Sequence, residues 1–247
     1  MQRLDKTLLL RGLVTSRAHA QRLITAGCVR VNGQLQRKAS AIVAEDSLLE
    51  VIATTEDRFV SRGGLKLAAA LERCDIPVAG VTALDVGQST GGFTDCLLQA
   101  GASQVVGVDV GHGQLAVQLK NDPRVVCYEG VNARELPASL CSEHAPAGFA
   151  LAVMDVSFIS QTLILPALAP LIAPGGQLVS LVKPQFEVGR SNIGKGGIVR
   201  NAELFDQVEQ QLKTVCQQQG LDVQEHFESP ITGGDGNREF LLVATRQ

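Results

Sequence analysis

One stretch decides the fold of this chain: VTALDVGQSTGGFTDCLLQAGASQVVGVD, residues 81–109. It begins with a short apolar strand at 81–86 and continues through a Gly/Ser loop into a helix with one apolar face. A second strand at 104–108 ends in Asp109. The order of strand, glycine loop, helix, strand and acid is typical of half of a nucleotide-binding α/β sheet. The loop glycines let a ligand approach the backbone closely because they have no Cβ.

The acids beside this loop indicate which ligand it binds. Asp85 comes just before Gly87 and would repel the pyrophosphate of a dinucleotide, whereas it suits the cationic groups of S-adenosylmethionine. Ser89 also stands where the second glycine of a dinucleotide fingerprint belongs. Asp109 is placed to accept both hydroxyls of a ribose. The alternative is that the glycines only form a tight turn and Asp109 caps the next helix, but the order of the signals favours a cofactor site.

The composition indicates one α/β domain with a small additional module. The chain has 247 residues, of which 45% are hydrophobic and 19% charged, enough apolar residues for a core. Its six cysteines form no C-x-x-C pair, which is typical of reduced thiols in a cytosolic protein. The four histidines lack ligand spacing, so we expect no metal. We find neither the apolar core of a signal peptide nor an uncharged run of roughly 20 apolar residues, and therefore expect a cytoplasmic protein without a membrane partner.

Charge is divided unevenly along the chain. The formal net charge is −3, yet residues 1–38 hold eight lysines and arginines against a single acid. These basic residues are Arg3, Lys6, Arg11, Arg17, Arg22, Arg30, Arg37 and Lys38. A basic module on an acidic chain predicts binding to a polyanion, and the near-absence of acids favours RNA over a merely solvated surface.

The same segment has the pattern of a small α+β fold. Ser16 is a good N-cap and Gly27 a good C-terminal stop for a helix between them. Residues 28–31 then alternate like a strand before the turn signal NG at 32–33. An S4 RNA-binding domain is similar in its motifs, which are here SRA at 16–18, LI at 23–24, GCVRVNG at 27–33 and Lys38. The resemblance implies that residues 1–53 bind structured RNA by shape and backbone.

Residues 54–61 are expected to be a linker, followed by a second domain at 62–247. This domain has five more predicted strands, at 124–128, 150–155, 177–183, 221–228 and 239–245, and helices at 63–73, 113–120, 159–171 and 202–219. With the two strands described above, the pattern predicts a Rossmann-like, seven-stranded methyltransferase sheet whose last strand is antiparallel. The predicted fold class is α/β, with a small N-terminal S4-type α+β domain.

Four charged residues of the second domain are expected to meet at the carboxyl edge of this sheet: Lys66, Asp155, Lys183 and Glu239. Asp155 and Lys183 end two strands, and Glu239 opens the last one. Open α/β sheets bind their ligands at that edge. Two lysines and two carboxylates that converge can hold one lysine neutral, and a neutral amine can take a proton from an alcohol. Each residue alone is more often a surface charge, so the hypothesis depends on their joint placement.

Five motifs occur in a characteristic order along the chain. They are SRGGLK at 61–66, DVGQSTGGFTD at 85–95, DVSFIS at 155–160, LVKPQFE at 181–187 and GKGG at 194–197. This order resembles the TlyA (haemolysin A-like) family, in which an S4 domain precedes an FtsJ-like methyltransferase. The resemblance implies S-adenosylmethionine-dependent 2′-O-ribose methylation of bacterial ribosomal RNA, with cytidine as the family's target. It also implies that Lys66, Asp155, Lys183 and Glu239 form the catalytic tetrad, with Lys183 as the base.

The resemblance assigns ligand-binding residues as well. Those implied for the cofactor are Asp85, Gly87, Ser89, Thr90, Gly91, Gly92, Phe93, Asp109, Val110, Asn132 and Asp155. Gln88 replaces a small residue of many relatives and is not expected to block the cofactor. Beyond the N-terminal module, RNA contacts are expected from Arg62 and from a Gly-rich loop at 185–200. That loop sets the cations Arg190, Lys195 and Arg200 against Glu187 and looks like a mobile lid.

Three alternatives stay open at this point. A non-catalytic RNA-binding assembly factor would have a broken tetrad, yet all four positions are filled. A pore-forming haemolysin would need a signal peptide or a membrane-length apolar segment. A small-molecule methyltransferase would leave the basic module without a function. These motifs do not specify which ribosomal RNA or which assembly state is the substrate, nor the oligomeric state of the chain.

Overall fold

The computed structural model describes residues 1–14, 16–52 and 58–247. The chain divides into two compact units, Met1–Arg58 and Phe59–Gln247. This division falls within the linker expected at 54–61, of which residues 54–57 lie outside the described part of the chain. In the described ranges, no helix is both long enough and apolar enough to cross a membrane.

The first unit packs two helices against short strands. Its elements are β1 (Gln2–Arg3), α1 (Leu4–Leu10), α2 (Arg17–Ala26), β2 (Val29–Val31), β3 (Gln34–Leu35), β4 (Ile42–Val43) and β5 (Leu49–Val51). β1 pairs with β4, while β3, β2 and β5 form an antiparallel sheet. Apolar side chains of both helices, such as Leu4 and Leu23, form its core. The predicted ends of α2 are confirmed: Ser16 accepts a hydrogen bond from the main-chain N–H of His19, and Gly27 has φ +79°.

The second unit is built around a seven-stranded sheet. Its elements are α3 (Gly63–Arg73), β6 (Thr82–Val86), α4 (Gly92–Gln99), β7 (Gln104–Asp109), α5 (Val117–Lys120), β8 (Val125–Glu129), α6 (Ser139–His144), β9 (Phe149–Met154), α7 (Leu165–Leu168), β10 (Ile172–Val182), α8 (Glu203–Gln218), β11 (Leu221–Glu228) and β12 (Phe240–Arg246). The strand order is β11-β12-β10-β9-β6-β7-β8. β12 is antiparallel to both of its neighbours, whereas β6 to β10 are parallel. The expected seven-stranded sheet with an antiparallel last strand is confirmed.

Helices cover both faces of this sheet. Leu84 of β6 packs on one face in a cluster that includes residues of α7 and α8. Its neighbour Ala83 packs on the other face, with α3 and α4. Successive side chains of a strand point to opposite faces, so apolar residues at consecutive positions bury both of them.

The helix predicted at 113–120 is shorter than expected and begins only at Val117. Gly113 has φ +65°, and Ala116 is extended with ψ 138°. Because neither conformation is helical, the turn before α5 cannot extend it towards the N-terminus.

The helix predicted at 159–171 is broken into three pieces. A 3₁₀ turn at Gln161–Leu163 precedes α7, and a second one at Ala169–Leu171 follows it. Pro166 and Pro170 have no backbone N–H, so each prevents one hydrogen bond that a continuous helix would need. The segment therefore packs as short helical turns.

Candidate active site

Five predicted site residues lie along one edge of the sheet. Gly87 follows β6, Asp109 ends β7, Asp155 follows β9 and Lys183 follows β10. These strands are parallel, so their carboxyl ends share that edge. Glu239 precedes the antiparallel β12, whose first residue pairs with the last residue of β10, and so it lies at the same edge. From β6 the strand order runs outward in two directions, through β7 and β8 on one side and through β9 and β10 on the other. Open α/β sheets bind ligands at the point where the strand order reverses in this way.

The loop after β6 depends on glycine for its close packing. Gly87 has φ +84°, and a Cβ placed on it would lie 2.4 Å from the main-chain oxygen of Asp155. Gly91 has φ +92°, and a Cβ there would lie 2.3 Å from Cδ1 of Leu119. At either position, a side chain would collide with this neighbouring atom, and the positive φ would strain the backbone of a residue other than glycine. The loop thus approaches β9 and α5 as only glycine allows.

A cavity of about 240 Å³ lies over this loop, and we call it the glycine-loop cavity. Six predicted cofactor residues line it: Gly87, Ser89, Thr90, Gly92, Phe93 and Asp155. The other lining residues are Ser61, Arg62, Gly63, Lys66 and Gln88. The start of α3 therefore forms a wall of the cavity, which sequence reasoning had not assigned to the cofactor. Gly91 packs against α5 instead of lining it.

Asp85 differs from the expectation, because it is fully buried beneath the loop and does not line the cavity. Its Oδ2 accepts a hydrogen bond from the Thr94 hydroxyl at 2.7 Å, and that hydroxyl accepts one from the Gln88 amide at 2.8 Å. Asp85 belongs to β6 itself, and helices cover both faces of the sheet, so its side chain is buried. Burial raises the pKa of Asp85 to about 7. The side chain therefore supports the loop from below and is not placed to contact a cofactor cation.

We expect Asp85 to make the second unit less stable as the pH rises. The unfolded chain ionises this carboxyl near pH 3.8, whereas the folded chain keeps it protonated up to about pH 7. Because the folded-state pKa is the higher one, the free energy of unfolding decreases as the pH rises from 3.8 to about 7. The total decrease is up to about 4 kcal/mol. In urea titrations between about pH 5 and pH 8, the free energy of unfolding should decrease less in the variant Asp85→Asn than in wild type. An equal loss in both proteins would contradict the raised pKa.

Asp109 holds the backbone at the far side of the loop. Its two carboxylate oxygens accept hydrogen bonds from the main-chain N–H groups of Ser89 and Gly111, each at 2.7 Å. Each oxygen keeps a second lone pair for a ligand hydroxyl. Val110 follows it and is 72% exposed. Asn132 is exposed and caps a short 3₁₀ turn, because its Oδ1 accepts from the main-chain N–H of Arg134.

Two ion pairs join the four residues of the predicted tetrad. Lys183 Nζ lies 2.6 Å from Asp155 Oδ1, in contact but without the alignment of a hydrogen bond. Lys183 also donates a hydrogen bond to the hydroxyl of Ser157 at 2.9 Å. Lys66 contacts Glu239, and these two residues are only 7% and 3% exposed. Burial of single charges is costly, so each of these partners depends on the other.

A larger cavity, of about 810 Å³, lies beside the same residues. Lys183 and Glu239 line this larger cavity, whereas Lys66 and Asp155 line the glycine-loop cavity. Each ion pair therefore joins one cavity to the other. The four residues of the predicted tetrad therefore lie at the junction of the two cavities.

The larger cavity also contains residues that sequence reasoning missed. Phe158 lies on its wall with 90% of the residue exposed and with φ +66°. Its ring lies 5.1 Å from the ring of Phe186, at a tilt of 51°. A left-handed backbone is strained for an aromatic residue and persists only where its surroundings impose it. Arg134 and Ser157 line the same cavity. The motif DVSFIS contained two of these residues, but nothing in it predicts a positive φ at a phenylalanine.

The loop at 185–200 places its charges differently from the expected lid. Arg190 lines the larger cavity, whereas Lys195 and Arg200 are exposed. Glu187 forms no pair with these cations, because it turns inward and accepts a hydrogen bond from the Ser160 hydroxyl at 2.5 Å. Burial raises the pKa of Glu187. The carboxylate is therefore engaged with the loop that follows β9.

The basic residues of the first unit form two groups. Arg11 donates to the main-chain oxygens of Glu45 and Ser47, so its guanidinium serves the fold. Arg3 and Arg17 both bind the fully buried Asp5, at 3.0 and 2.9 Å, while their own side chains stay 41% and 47% exposed. The remaining predicted RNA contacts in this unit are exposed: Lys6, Arg22, Arg30, Arg37 and Lys38.

Two family models match the chain. The model of FtsJ-like methyltransferases matches residues 59–246, and the model of the S4 domain matches residues 2–48. Each match coincides with one of the two compact units. The seven-stranded sheet and its glycine loop are therefore those of a methyltransferase, and the small α+β unit is an S4 domain.

Similar proteins extend over nearly the whole chain. The 16S/23S rRNA (cytidine-2′-O)-methyltransferase TlyA of Mycobacterium tuberculosis is 43% identical over 240 residues, which cover 97% of this chain and 88% of that protein. Hemolysin A of Brachyspira hyodysenteriae is 40% identical over 240 residues, covering 97% and 98%. A solved structure of a candidate hemolysin from Streptococcus thermophilus has 40% identity and a TM-score of 0.78, covering 100% and 88%. By these matches the chain belongs to the FtsJ-like methyltransferase family, with an S4 domain at its N-terminus.

Proposed function

We propose that this chain transfers the methyl group of S-adenosylmethionine to a ribose 2′-hydroxyl of ribosomal RNA, at a cytidine. The products are 2′-O-methylated RNA, S-adenosylhomocysteine and a proton. The observation that carries the proposal is the position of the tetrad at the junction of the two cavities. The name of the Mycobacterium tuberculosis relative, a 16S/23S rRNA (cytidine-2′-O)-methyltransferase, supports the same substrate class.

S-adenosylmethionine is the cofactor of this family, and the glycine-loop cavity suits it. Asp155 lines the cavity together with Arg62 and Lys66, and its carboxylate would attract the cationic part of a ligand. Gly87 lets the loop pack directly against the main chain of Asp155, which keeps that residue beside the cavity. At the same edge, the oxygens of Asp109 are fixed by two main-chain donors and can still accept from a ribose diol. When bound, the cofactor supplies an electrophilic methyl group.

Lys183 is the proposed base of the reaction. In its neutral form, Nζ would accept the proton of the 2′-hydroxyl, leaving the oxygen free to bond carbon. Asp155, at 2.6 Å, would balance the positive charge that forms on Nζ. The hydroxyl of Ser157 accepts a hydrogen bond from the same nitrogen and fixes its direction. Positioning by these contacts supplies much of the rate of such a transfer.

Lys66 would hold the hydroxyl from the opposite side. Its ammonium is fixed by the buried Glu239, and it lines the glycine-loop cavity. A fixed cation at this place would donate a hydrogen bond to the 2′-oxygen while the proton leaves. The two lysines therefore have different proposed roles, one as base and one as a donor.

The larger cavity is the proposed site of the target nucleotide. Arg134 and Arg190 line it and supply positive charge for phosphates. The exposed ring of Phe158 offers a face on which an unstacked base can lie, as aromatic side chains do in single-stranded RNA recognition. A nucleotide held there would place its ribose near the tetrad.

Replacing Asp109 with alanine should weaken cofactor binding. The change removes the acceptors that fix Ser89 and Gly111 and that face the ribose. Hydrogen bonds to a charged group contribute about 1.5–3 kcal/mol, so we expect a loss of roughly 10- to 100-fold in affinity by calorimetry. Asp122→Ala is the matched control, because that carboxylate pairs with Arg124 at the surface. Equal affinities in wild type and Asp109→Ala would remove Asp109 from the cofactor site.

Neutralising exposed cations of the S4 domain should weaken RNA binding and flatten its salt dependence. The triple variant with Arg22, Arg30 and Lys38 changed to glutamine loses up to three phosphate contacts. The slope of log K against log salt should then fall by up to about 3. Lys120→Gln, an exposed cation of α5, controls for loss of charge alone. An unchanged slope in the triple variant would contradict RNA binding by this surface.

The experiment that tests the function offers the full chain several RNA substrates. Cofactor labelled in its methyl group is incubated with protein-free 16S RNA, protein-free 23S RNA, and isolated small and large subunits. We expect label in RNA from at least one of these. Binding of cofactor without any label in the four substrates would contradict the proposed reaction.

A further inference from the structure

We propose that Glu187 is a positioning residue, whose carboxylate holds the loop after β9 so that Phe158 stands in the larger cavity. The inference rests on the proposed function, because it assigns Phe158 to the target nucleotide. Glu187 itself does not line either cavity. It would act on the reaction only through the loop that it binds.

The loop needs an external constraint because Phe158 is held in a costly conformation. Its φ of +66° lies in the left-handed region, and its ring is exposed instead of packed into the core. Its ring packs against that of Phe186, with 5.1 Å between the ring centres. Strain of this kind costs about 1–3 kcal/mol and persists only where neighbouring contacts fix the backbone.

Those contacts come from the segment after β10, on both sides of Phe158. On one side, Lys183 donates a hydrogen bond to Ser157 at 2.9 Å. On the other side, the carboxylate of Glu187 accepts from the Ser160 hydroxyl at 2.5 Å and from the main-chain N–H of Gln161 at 2.9 Å. Phe158 therefore lies between two anchors. Glu187 supplies the second one together with β10, which binds the side-chain amide of Gln161 through Leu181 and Ser180.

The contacts of Glu187 fit a positioning role. In the described part of the chain, no lysine, arginine or histidine forms an ion pair with it. Partly burying a carboxylate without a cation is costly, and its two hydrogen-bond donors compensate for this cost. Both donors belong to the loop, so the energy of this half-buried carboxylate depends on where that loop lies.

The test compares Glu187→Ala with Glu187→Gln. Alanine removes both hydrogen bonds, and we expect the rate of methyl transfer at saturating RNA to fall roughly 10- to 100-fold. Glutamine can still accept from Gln161 and donate to Ser160, so its rate should stay within about 3-fold of wild type. Cofactor affinity, measured by calorimetry, should be unchanged in both. A rate near wild type for Glu187→Ala, or equal losses for both variants, would overturn the proposal.

A double-mutant cycle shows whether Glu187 acts through Phe158. If it does, Glu187→Ala should cause little further loss in a Phe158→Ala background, because the positioned ring is already absent. The same loss in both backgrounds would overturn the proposal and indicate a general structural role. Ser160→Ala removes one of the same hydrogen bonds from the other partner, and it replaces Glu187→Ala if that variant does not fold.

A readout without methyl transfer separates this inference from the proposed function. The chain has no tryptophan, so Phe158→Trp introduces a single fluorescent reporter. We expect its fluorescence anisotropy to fall when Glu187→Ala is added and to stay unchanged with Glu187→Gln. Unchanged anisotropy with Glu187→Ala would overturn the positioning role even in an active enzyme. Absence of methyl transfer by the wild type, with the expected anisotropy, would instead refute the function alone.

Discussion

Replacing Lys183 with alanine should reduce methyl transfer by roughly 10²- to 10⁴-fold, the usual contribution of a general base. Affinity for cofactor should stay near wild type because Lys183 does not line the glycine-loop cavity, and affinity for RNA should change little because Lys183 is one of many residues that line the larger cavity. Single-turnover assays at saturating RNA separate the chemical step from binding. Asp155→Asn should also slow transfer, since it removes the charge that balances the lysine.

Lys213→Ala is the matched control for loss of a lysine. That side chain is 41% exposed and pairs with Glu209 on α8, away from the tetrad. Its transfer rate should equal that of wild type. If Lys183→Ala also methylated RNA within a few-fold of wild type, Lys183 would not be the base, and proximity to the cofactor alone would have to explain the rate.

Replacing Glu239 with alanine should destabilise the second unit by about 3–5 kcal/mol. The change leaves the ammonium of Lys66 buried without its partner, and breaking one half of a buried pair has a cost of this size. Urea unfolding measures it, using the transition that added cofactor shifts to higher urea concentration. Methyl transfer should fall as well, because Lys66 loses the contact that orients it.

Glu225→Ala provides the comparison for Glu239→Ala. Glu225 pairs with Arg73 at 3.2 Å, but both side chains are about half exposed. Exposed pairs contribute about 1 kcal/mol or less, so this variant should unfold almost as wild type does. Similar losses in the two variants would contradict the burial of the Lys66–Glu239 pair.

Local patterns were sufficient to predict the sheet and the placement of most of the candidate site. The apolar strand, the glycines and Asp109 follow one another within thirty residues, so no long-range contact was needed to interpret them. Asp155 and Lys183 could be placed together because the ends of parallel strands share one edge. The prolines at 166 and 170 could have indicated the breaks in the predicted helix, since proline interrupts helical hydrogen bonding. The apolar run around them favoured a continuous helix instead.

The remaining features depend on backbone angles and distant contacts. Asp85 stands beside the loop in sequence, but it is buried because it belongs to β6 and helices cover both faces of the sheet. Phe158 was part of a recognised motif, yet its positive φ and exposure come from anchors in the segment after β10. Glu187 was expected to face the cations of its own loop. Its bond to Ser160 joins residues 27 positions apart, and such a pair leaves no local pattern.

The most direct measurement identifies the nucleoside that this chain produces. Ribosomal RNA treated with wild type or with Lys183→Ala in the presence of cofactor is digested to nucleosides and analysed by mass spectrometry. The account predicts 2′-O-methylcytidine after treatment with wild type and almost none after treatment with Lys183→Ala. A methyl group on a base instead of a ribose, or equal product from both proteins, would contradict it.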